Sequence, residues 1–373
     1  MKIKICHITS VHPQKDIRIF YKECISLHDA GYEVTLIAPG NSEYFDSGIK
    51  IIPFPKKNNR SARIFSSSFV MFSLALKQKA VIYHFHDPEL ILCGMLLRIS
   101  GKKVIFDIHE NVAQSLLQKD WIPKSLRPLI KLIYRFFERI AVLFFSRLIL
   151  AELSYKKYYP ANSVVIQNFP FITATHLPEK QFTPPYQFVY SGVIHATRGT
   201  IEMLKIISKL NQDGHESFLH LAGPIRPESY HNVIGQKIKE LNIEDKVVYH
   251  GTLSVPDSYQ LIEKNSFGFA LWDKLPNFYE CIPTKFYEYL SKGLPVIVPD
   301  YPIYHEYVVR LNTGLCIPYH DTAKATVMIE ELLQNKLLLK EMSENGKKSV
   351  QNTFNWNTQA KILLAEYDKL IHK

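Results

Sequence analysis

Residues 277–300 read NFYECIPTKFYEYLSKGLPVIVPD. A loop closes at Pro283, a helical pattern runs over 284–292, Gly293 stops it, and the apolar run Pro-Val-Ile-Val follows. Proline at the start of a helix and glycine just past its end frame that helix on both sides. A helix delivered straight into a short, unbroken Val/Ile run is half of a βαβ unit, because parallel strands are buried on both faces. Two acids sit in this stretch with seven residues between them: Glu280 in the loop and Glu288 one to two turns into the helix. The helix N-terminus presents free N–H groups and the positive end of its dipole, a ready site for a diphosphate. Thr284 opens that turn and Lys285 adds a full charge to it. Glu288 is repelled by phosphate but suited to accept ribose hydroxyls, and Glu280 can reach a sugar hydroxyl. An ordinary solvated helix with surface acids has the same look, so the weight falls on the surroundings.

The same grammar extends in both directions. In the first half, apolar runs over 2–9, 32–38, 80–84, 103–108, 147–150 and 163–166 read as strands, and 18–30 reads as a helix closed by Gly31. Residues 168–185 hold four prolines and no periodicity, the mark of a linker. The alternation then restarts, with strands over 188–191, 218–222, 247–250, 267–271 and 295–298 and helices over 200–212, 229–241 and 257–264. The fold expected is α/β, with two doubly wound Rossmann-like domains, 1–168 and 186–354, facing across a cleft. Such sheets bind ligands at the carboxyl ends of their strands. The length of 373 residues suits two domains.

Composition narrows the class. The chain is 46% hydrophobic and 21% charged, ordinary globular values. No apolar run reaches the roughly 18–20 residues of a spanning helix. Five scattered cysteines make no C-x-x-C pair, so neither disulfides nor a zinc ribbon is expected and a cytoplasmic location is. The net charge of +10 is one-sided: residues 1–170 hold 24 Lys and Arg against 13 Asp and Glu, and the remainder is nearly neutral. A field of that kind suits an anionic partner.

Several further residues carry chemistry. Gly192 ends a strand, which lets a ligand approach the backbone, and Arg198 follows just before a helix, where a guanidinium can grip diphosphate oxygens. In the first domain, His84-Phe-His86-Asp87-Pro-Glu89 and Asp107-Ile-His109-Glu110 end two strands. Alternation puts His84 and His86 on one side, and adjacent strands bring both clusters to one sheet edge. His84, His86, Asp87 and His109 could instead ligate a metal, as in metallohydrolases, but that leaves the second half unexplained. No Asp-x-Asp pair occurs, so neither a metal-bridged diphosphate nor a cofactor is expected.

The pattern from Glu280 through Glu288 to Gly-Leu-Pro-Val-Ile resembles the family-4 retaining glycosyltransferases of the GT-B fold. YSGVIHATRG (190–199), LAGP (221–224), HGTL (250–253) and FNW (354–356) extend the likeness over nearly the whole chain. It implies a retaining, hexosyltransferase-type enzyme that uses a nucleotide diphosphate sugar as substrate. It implies donor contacts at Gly192, Arg198, Gly223, Leu253, Glu280, Thr284, Lys285 and Glu288, with His109 beside the donor sugar. His109, Glu280, Arg198 and Lys285 form the expected catalytic group. A second basic residue is usual directly after Gly192, where this chain has Val193. SVHPQKDIR (10–18) resembles a polysaccharide-assembly branch of the family, which makes Asp16, Arg18, His86 and Asp87 acceptor candidates. The resemblance also returns a last helix, within 355–373, to the first domain. A nucleotide-sugar epimerase of the same fold and a non-catalytic nucleotide-sugar-binding protein are the alternatives.

Residues 125–147 read SLRPLIKLIYRFFERIAVLFFSR. Arg127, Lys131, Arg135 and Arg139 recur every fourth residue on an otherwise greasy helix, interrupted by Glu138. A basic stripe of this kind suits an anionic membrane surface. A lipid-linked saccharide acceptor, handled on the inner face of the cell membrane, is the expectation that follows; no nucleic acid partner is expected.

Overall fold

The computed structural model describes residues 2–55, 68–118, 122–159, 162–172, 179–275 and 279–372. The chain divides into two units, Met1–Asn168 with Trp356–Lys373, and Phe169–Asn355.

The first unit is built on a sheet of eight described strands: β1 (Lys4–Ile8), β2 (Glu33–Pro39), β3 (Tyr44–Asp46), β4 (Ile49–Phe54), β5 (Ile82–Phe85), β6 (Lys103–Ile108), β7 (Arg147–Leu150) and β8 (Ser163–Val165). Their order is β3-β4-β2-β1-β5-β6-β7-β8, parallel except for the short β3 edge. The order reverses between β1 and β5, the position at which doubly wound sheets open a crevice at their strand ends. There His7 of β1 and His84 of β5 are direct register partners. The helix expected over 18–30 forms from Ile17 to Asp29, its first eight residues wound as a π-helix capped by Asp16. Unassigned in the sequence reading were β3, β4 and the Ser68–Lys77 and Ile91–Ile99 helices.

The second unit has strands β9 (Tyr186–Ser191), β10 (Ser217–Ala222), β11 (Val247–Tyr249), β12 (Phe267–Phe269), β13 (Val296–Pro299) and β14 (Gly314–Ile317). They lie in the order β11-β10-β9-β12-β13-β14, all parallel, and the reversal falls at β9 and β12. Aromatic packing fills the core, with Phe188 stacked on Phe267 and Phe269.

The last helix, Trp356–Ile371, belongs to the first unit. Trp356, Leu363, Tyr367 and Leu370 enter its core beside Ile5, Phe20 and Leu36. The Trp356 indole N–H donates to Ser26 Oγ at 2.9 Å, and Arg147 pairs with Glu366.

Candidate functional site

In the second unit the residues following β9 carry the anion chemistry. Gly192 has φ +135°, and a Cβ there would come within 2.9 Å of Lys285 Nζ. Gly223, after β10, has φ +133°, and a Cβ would lie 2.1 Å from the Gly192 carbonyl oxygen. Both positions therefore require glycine. The Thr284–Ser291 helix begins after Pro283, with no side-chain cap on its first turn. Thr284 is exposed and Glu288 half-buried.

Lys285 is not the exposed charge that its place in the first turn suggests. Its side chain is buried, and Nζ sits 3.5 Å from the Tyr190 ring centre. Among the described residues no hydrogen-bond acceptor reaches that ammonium. Burial, then the Arg198 charge, push its pKa well down, and Glu288 offsets only part of this. Tyr190 donates to the Val193 carbonyl at 2.8 Å, and the Arg198 side chain bonds the same phenol. Two cations are thus gathered around one aromatic ring under a glycine. A buried, unpaired charge is costly unless an anion joins it. Glu280 is half-buried in the loop before this helix. Leu253 lines a separate cavity of about 410 Å³ with His220 and His250, whose ring nitrogens lie 2.9 Å apart.

The first unit holds a second constellation at its strand ends. Asp107 is buried and takes Arg18 on both oxygens, at 2.9 Å from Nε and 2.8 Å from Nη2. His109 Nε2 lies 2.6 Å and His86 Nδ1 3.2 Å from Asp107 Oδ2. Burial alone would raise the Asp107 pKa; Arg18 and the two imidazoles outweigh it and hold the carboxyl well below the ordinary range. Burial lowers His86 to about 4. Asp87 accepts from Thr9 Oγ1 at 2.8 Å and Ser10 N at 2.6 Å.

His86, Asp87 and His109 line a cavity of about 750 Å³, together with His12, Glu89, Glu110, Tyr134 and Glu138. No Lys or Arg is among its described lining residues. Asp16 and Arg18, expected at the acceptor, are turned to other tasks. Asp16 caps the helix through Arg18 N and Ile19 N, and Arg18 reaches inward to Asp107 and to the Ile166 carbonyl. Sequence reasoning missed His7, Glu23, Tyr190 and Tyr367. Only Tyr190 left a signal, two residues before the strand-end glycine.

Among the described residues three groups have metal-ligating spacing: His7/Glu23/His84/His86, His86/Asp107/His109 and Asp300/His305/Cys316. Asp87, considered with the histidines as a ligand, belongs to none of them.

The Arg127–Phe144 helix also departs from its reading. Glu138 does not interrupt the basic stripe; it is buried and accepts from Tyr134 at 3.0 Å. Arg127 is bonded to the Ile122 and Leu117 carbonyls and Lys131 to Gln114, while Arg135 lies over the Tyr158 ring. The outward face is apolar instead: Leu132, Phe136, Phe137 and Leu143 are 62–79% exposed. Among the described residues no helix is long and apolar enough to cross a membrane.

Comparison with known proteins defines the class. Residues 174–349 match the model for glycosyl transferases group 1, and residues 18–169 that for glycosyltransferase family 4. The chain belongs to these GT-B glycosyltransferases. A glycosyltransferase from Rickettsia africae has a similar structure, with a TM-score of 0.74 at 14% identity over 99% of both chains. Sucrose-phosphate synthase from Thermosynechococcus elongatus gives 0.72 at 15% over the whole of both. Anabaena HepE, solved with UDP-glucose, gives 0.71 at 12% identity over 98% of this chain and 100% of its own. No curated protein sequence matches the chain.

Proposed function

We propose that this glycosyltransferase moves a hexosyl group from a nucleotide diphosphate sugar to a hydroxyl of a saccharide acceptor, with retention at the anomeric carbon. The observation that carries the donor half is the buried Lys285 ammonium, unpaired beside Arg198 and beneath Gly192. Negative charge develops on the diphosphate as it leaves, and fixed cations in a dry site stabilise it most. Arg198, Lys285 and the first-turn N–H groups of the Thr284–Ser291 helix supply that stabilisation with no bridging metal. Glu288 takes the ribose and Glu280 the donor sugar. Gly223 and Thr284 complete the donor contacts, and Leu253, which lines the separate cavity, takes no part in them. Retention rests on the family resemblance, and the UDP-glucose bound by HepE makes UDP-sugars the first donors to test.

The acceptor half rests on the 750 Å³ cavity. Carboxylates and imidazoles, with no lysine or arginine among the described lining residues, recognise hydroxyls and repel phosphate. A sugar ring therefore enters beside His86, Asp87 and His109, with any lipid diphosphate held outside. The Arg127–Phe144 helix supports a lipid-linked acceptor, because Tyr134 and Glu138 line this cavity while Phe136 and Leu143 face outward. A place on the inner face of the cell membrane, in cell-surface polysaccharide synthesis, follows from that helix and the basic first half.

The test is a thermal-shift screen of nucleotide diphosphate sugars, since a ligand at 100 times its Kd stabilises by about 2.7 kcal/mol. A donor that raises Tm in wild type but not in Lys285→Met is expected. If no sugar nucleotide shifts Tm, the donor site is misassigned.

A further inference from the structure

The 750 Å³ cavity leaves unexplained the side chains behind it. His7, Glu23, His84 and His86 converge at the β1/β5 reversal, none more than 1% exposed. We propose that these four residues form a built site for one divalent transition metal, with zinc the expected occupant.

One donor atom from each residue lies within 4.8 Å of the others. His7 Nδ1 is 2.9 Å from His86 Nε2, and Glu23 Oε2 is 3.7–3.9 Å from ring nitrogens of His7, His84 and His86. Tetrahedral zinc with bonds of about 2.0–2.1 Å spaces its ligands about 3.3 Å apart. Contacts of up to 4.8 Å close to that spacing through changes of no more than about 1.5 Å between any pair.

Two of the three histidines have the outer contacts of metal ligands. His86 turns Nδ1 to Asp107, at 3.2 Å, and Nε2 to the cluster. His7 turns Nε2 to the Tyr367 hydroxyl, at 3.1 Å, and Nδ1 to the cluster. Holding the second ring nitrogen by a carboxylate or hydroxyl is the usual way to aim a metal-binding imidazole. The Tyr367 hydroxyl is also 2.7 Å from His84 Nδ1, and that contact yields when His84 becomes the fourth ligand.

The second observation is a buried carboxyl whose oxygens accept no hydrogen bond among the described residues. Among the described residues neither Glu23 oxygen has a hydrogen-bond partner, although the side chain is fully buried. Arg18 Nε is 3.2 Å from Oε1 but directs its N–H to Asp107. An unsatisfied buried acid is costly, and a cation among three imidazoles satisfies it. Three nitrogens and one oxygen suit Zn²⁺ or Co²⁺ and not Mg²⁺ or Ca²⁺, which take oxygen ligands. With four protein ligands no position is left open, so the ion is structural. Through His86 and Asp107 it fixes where His109 stands, and it takes no part in the transfer.

The experiment is metal analysis of the full chain, purified without chelators or metal-affinity resin. About one zinc per chain is expected, lost in Glu23→Gln and kept in His305→Ala, which breaks the other histidine cluster clear of these residues. Metal-stripped wild type should gain several degrees of Tm with Zn²⁺ and none with Mg²⁺. It should show the intense visible bands of tetrahedral Co²⁺ when cobalt is added. If Glu23→Gln does not fold, the stripped wild type decides. Wild type with under a tenth of an equivalent of metal and no Tm response to zinc overturns the site. Retention of the zinc by Glu23→Gln overturns it equally. These readouts need no donor or acceptor, so they stand apart from the transferase reading.

Discussion

The Lys285 ammonium lies 3.5 Å from the centre of the Tyr190 ring, with no acceptor in reach among the described residues. A cation over an aromatic face recovers on the order of 2 kcal/mol when desolvated, less than burying the charge costs. The site is therefore strained toward an anion before any arrives. Arg198→Ala and Lys285→Ala should each lower kcat by roughly 10²–10³, the cost of losing one electrostatic stabiliser. Lys285→Met should melt at or above the wild-type temperature without donor. Near-wild-type rates in both alanine variants would remove the diphosphate role.

Proton linkage gives an independent reading of the same residue. Burial and Arg198 hold Lys285 well below its ordinary 10.5, so between those values the unfolded chain binds more protons than the folded one. Stability of the free protein should thus rise with pH across that window. A bound diphosphate pulls the pKa back up, so donor binding takes up a proton and weakens as pH rises. Calorimetry in two buffers of different ionisation enthalpy measures the uptake. Lys285→Met should abolish it; uptake unchanged in that variant contradicts the assignment.

Part of the acid sensitivity of the first unit should trace to Asp16. Burial opposes its ionisation, yet His12, at 3.3 Å, and the Ile19 N–H hold it down to about 2. Its folded pKa lies below the ordinary 3.8, so its contribution is complete above that value and is lost as pH falls from 3.8 through about 2. Asp16→Ala should cost about 1 kcal/mol at neutral pH through the lost helix cap. Asp16→Asn should keep the cap and flatten the acid limb of the stability curve. Melting curves between pH 2 and 7 decide it.

The strands most legible in the sequence were those buried on both faces. β6 coincides with the reading over 103–108, and β13 lies within one residue of the reading over 295–298. The β3–β4 pair was not readable, because Tyr44–Asp46 is only three residues long and Pro53 breaks the β4 run. Side-chain direction was the harder loss. Arg18 and Lys285 look like surface cations, and each is buried by a partner distant in sequence: Asp107 lies 89 residues from Arg18, and Tyr190 precedes Lys285 by a whole βαβαβαβ stretch. Tyr367 reaches His7 across 360 residues, beyond any local pattern. Glycine told more, since Gly192 and Gly223 mark positive φ at strand ends.

Four solvated cations would each add about 1 kcal/mol near an anionic bilayer, and high salt would release such a protein completely. Arg127, Lys131 and Arg135 are instead half-buried on protein partners, while Phe136 and Phe137 are 62% and 65% exposed. Full burial of one such side chain contributes about 1.5–3 kcal/mol, independent of charge. The protein should therefore sediment with anionic vesicles at low salt and remain partly bound at high salt. Phe136→Asp with Phe137→Asp should release it at both, with its melting temperature unchanged, because neither side chain is part of the core. Arg139→Gln, the exposed member of the stripe, should weaken binding only at low salt. Wild type that ignores anionic vesicles at low salt would leave the apolar face without its proposed occupant and the lipid-linked acceptor without its main support.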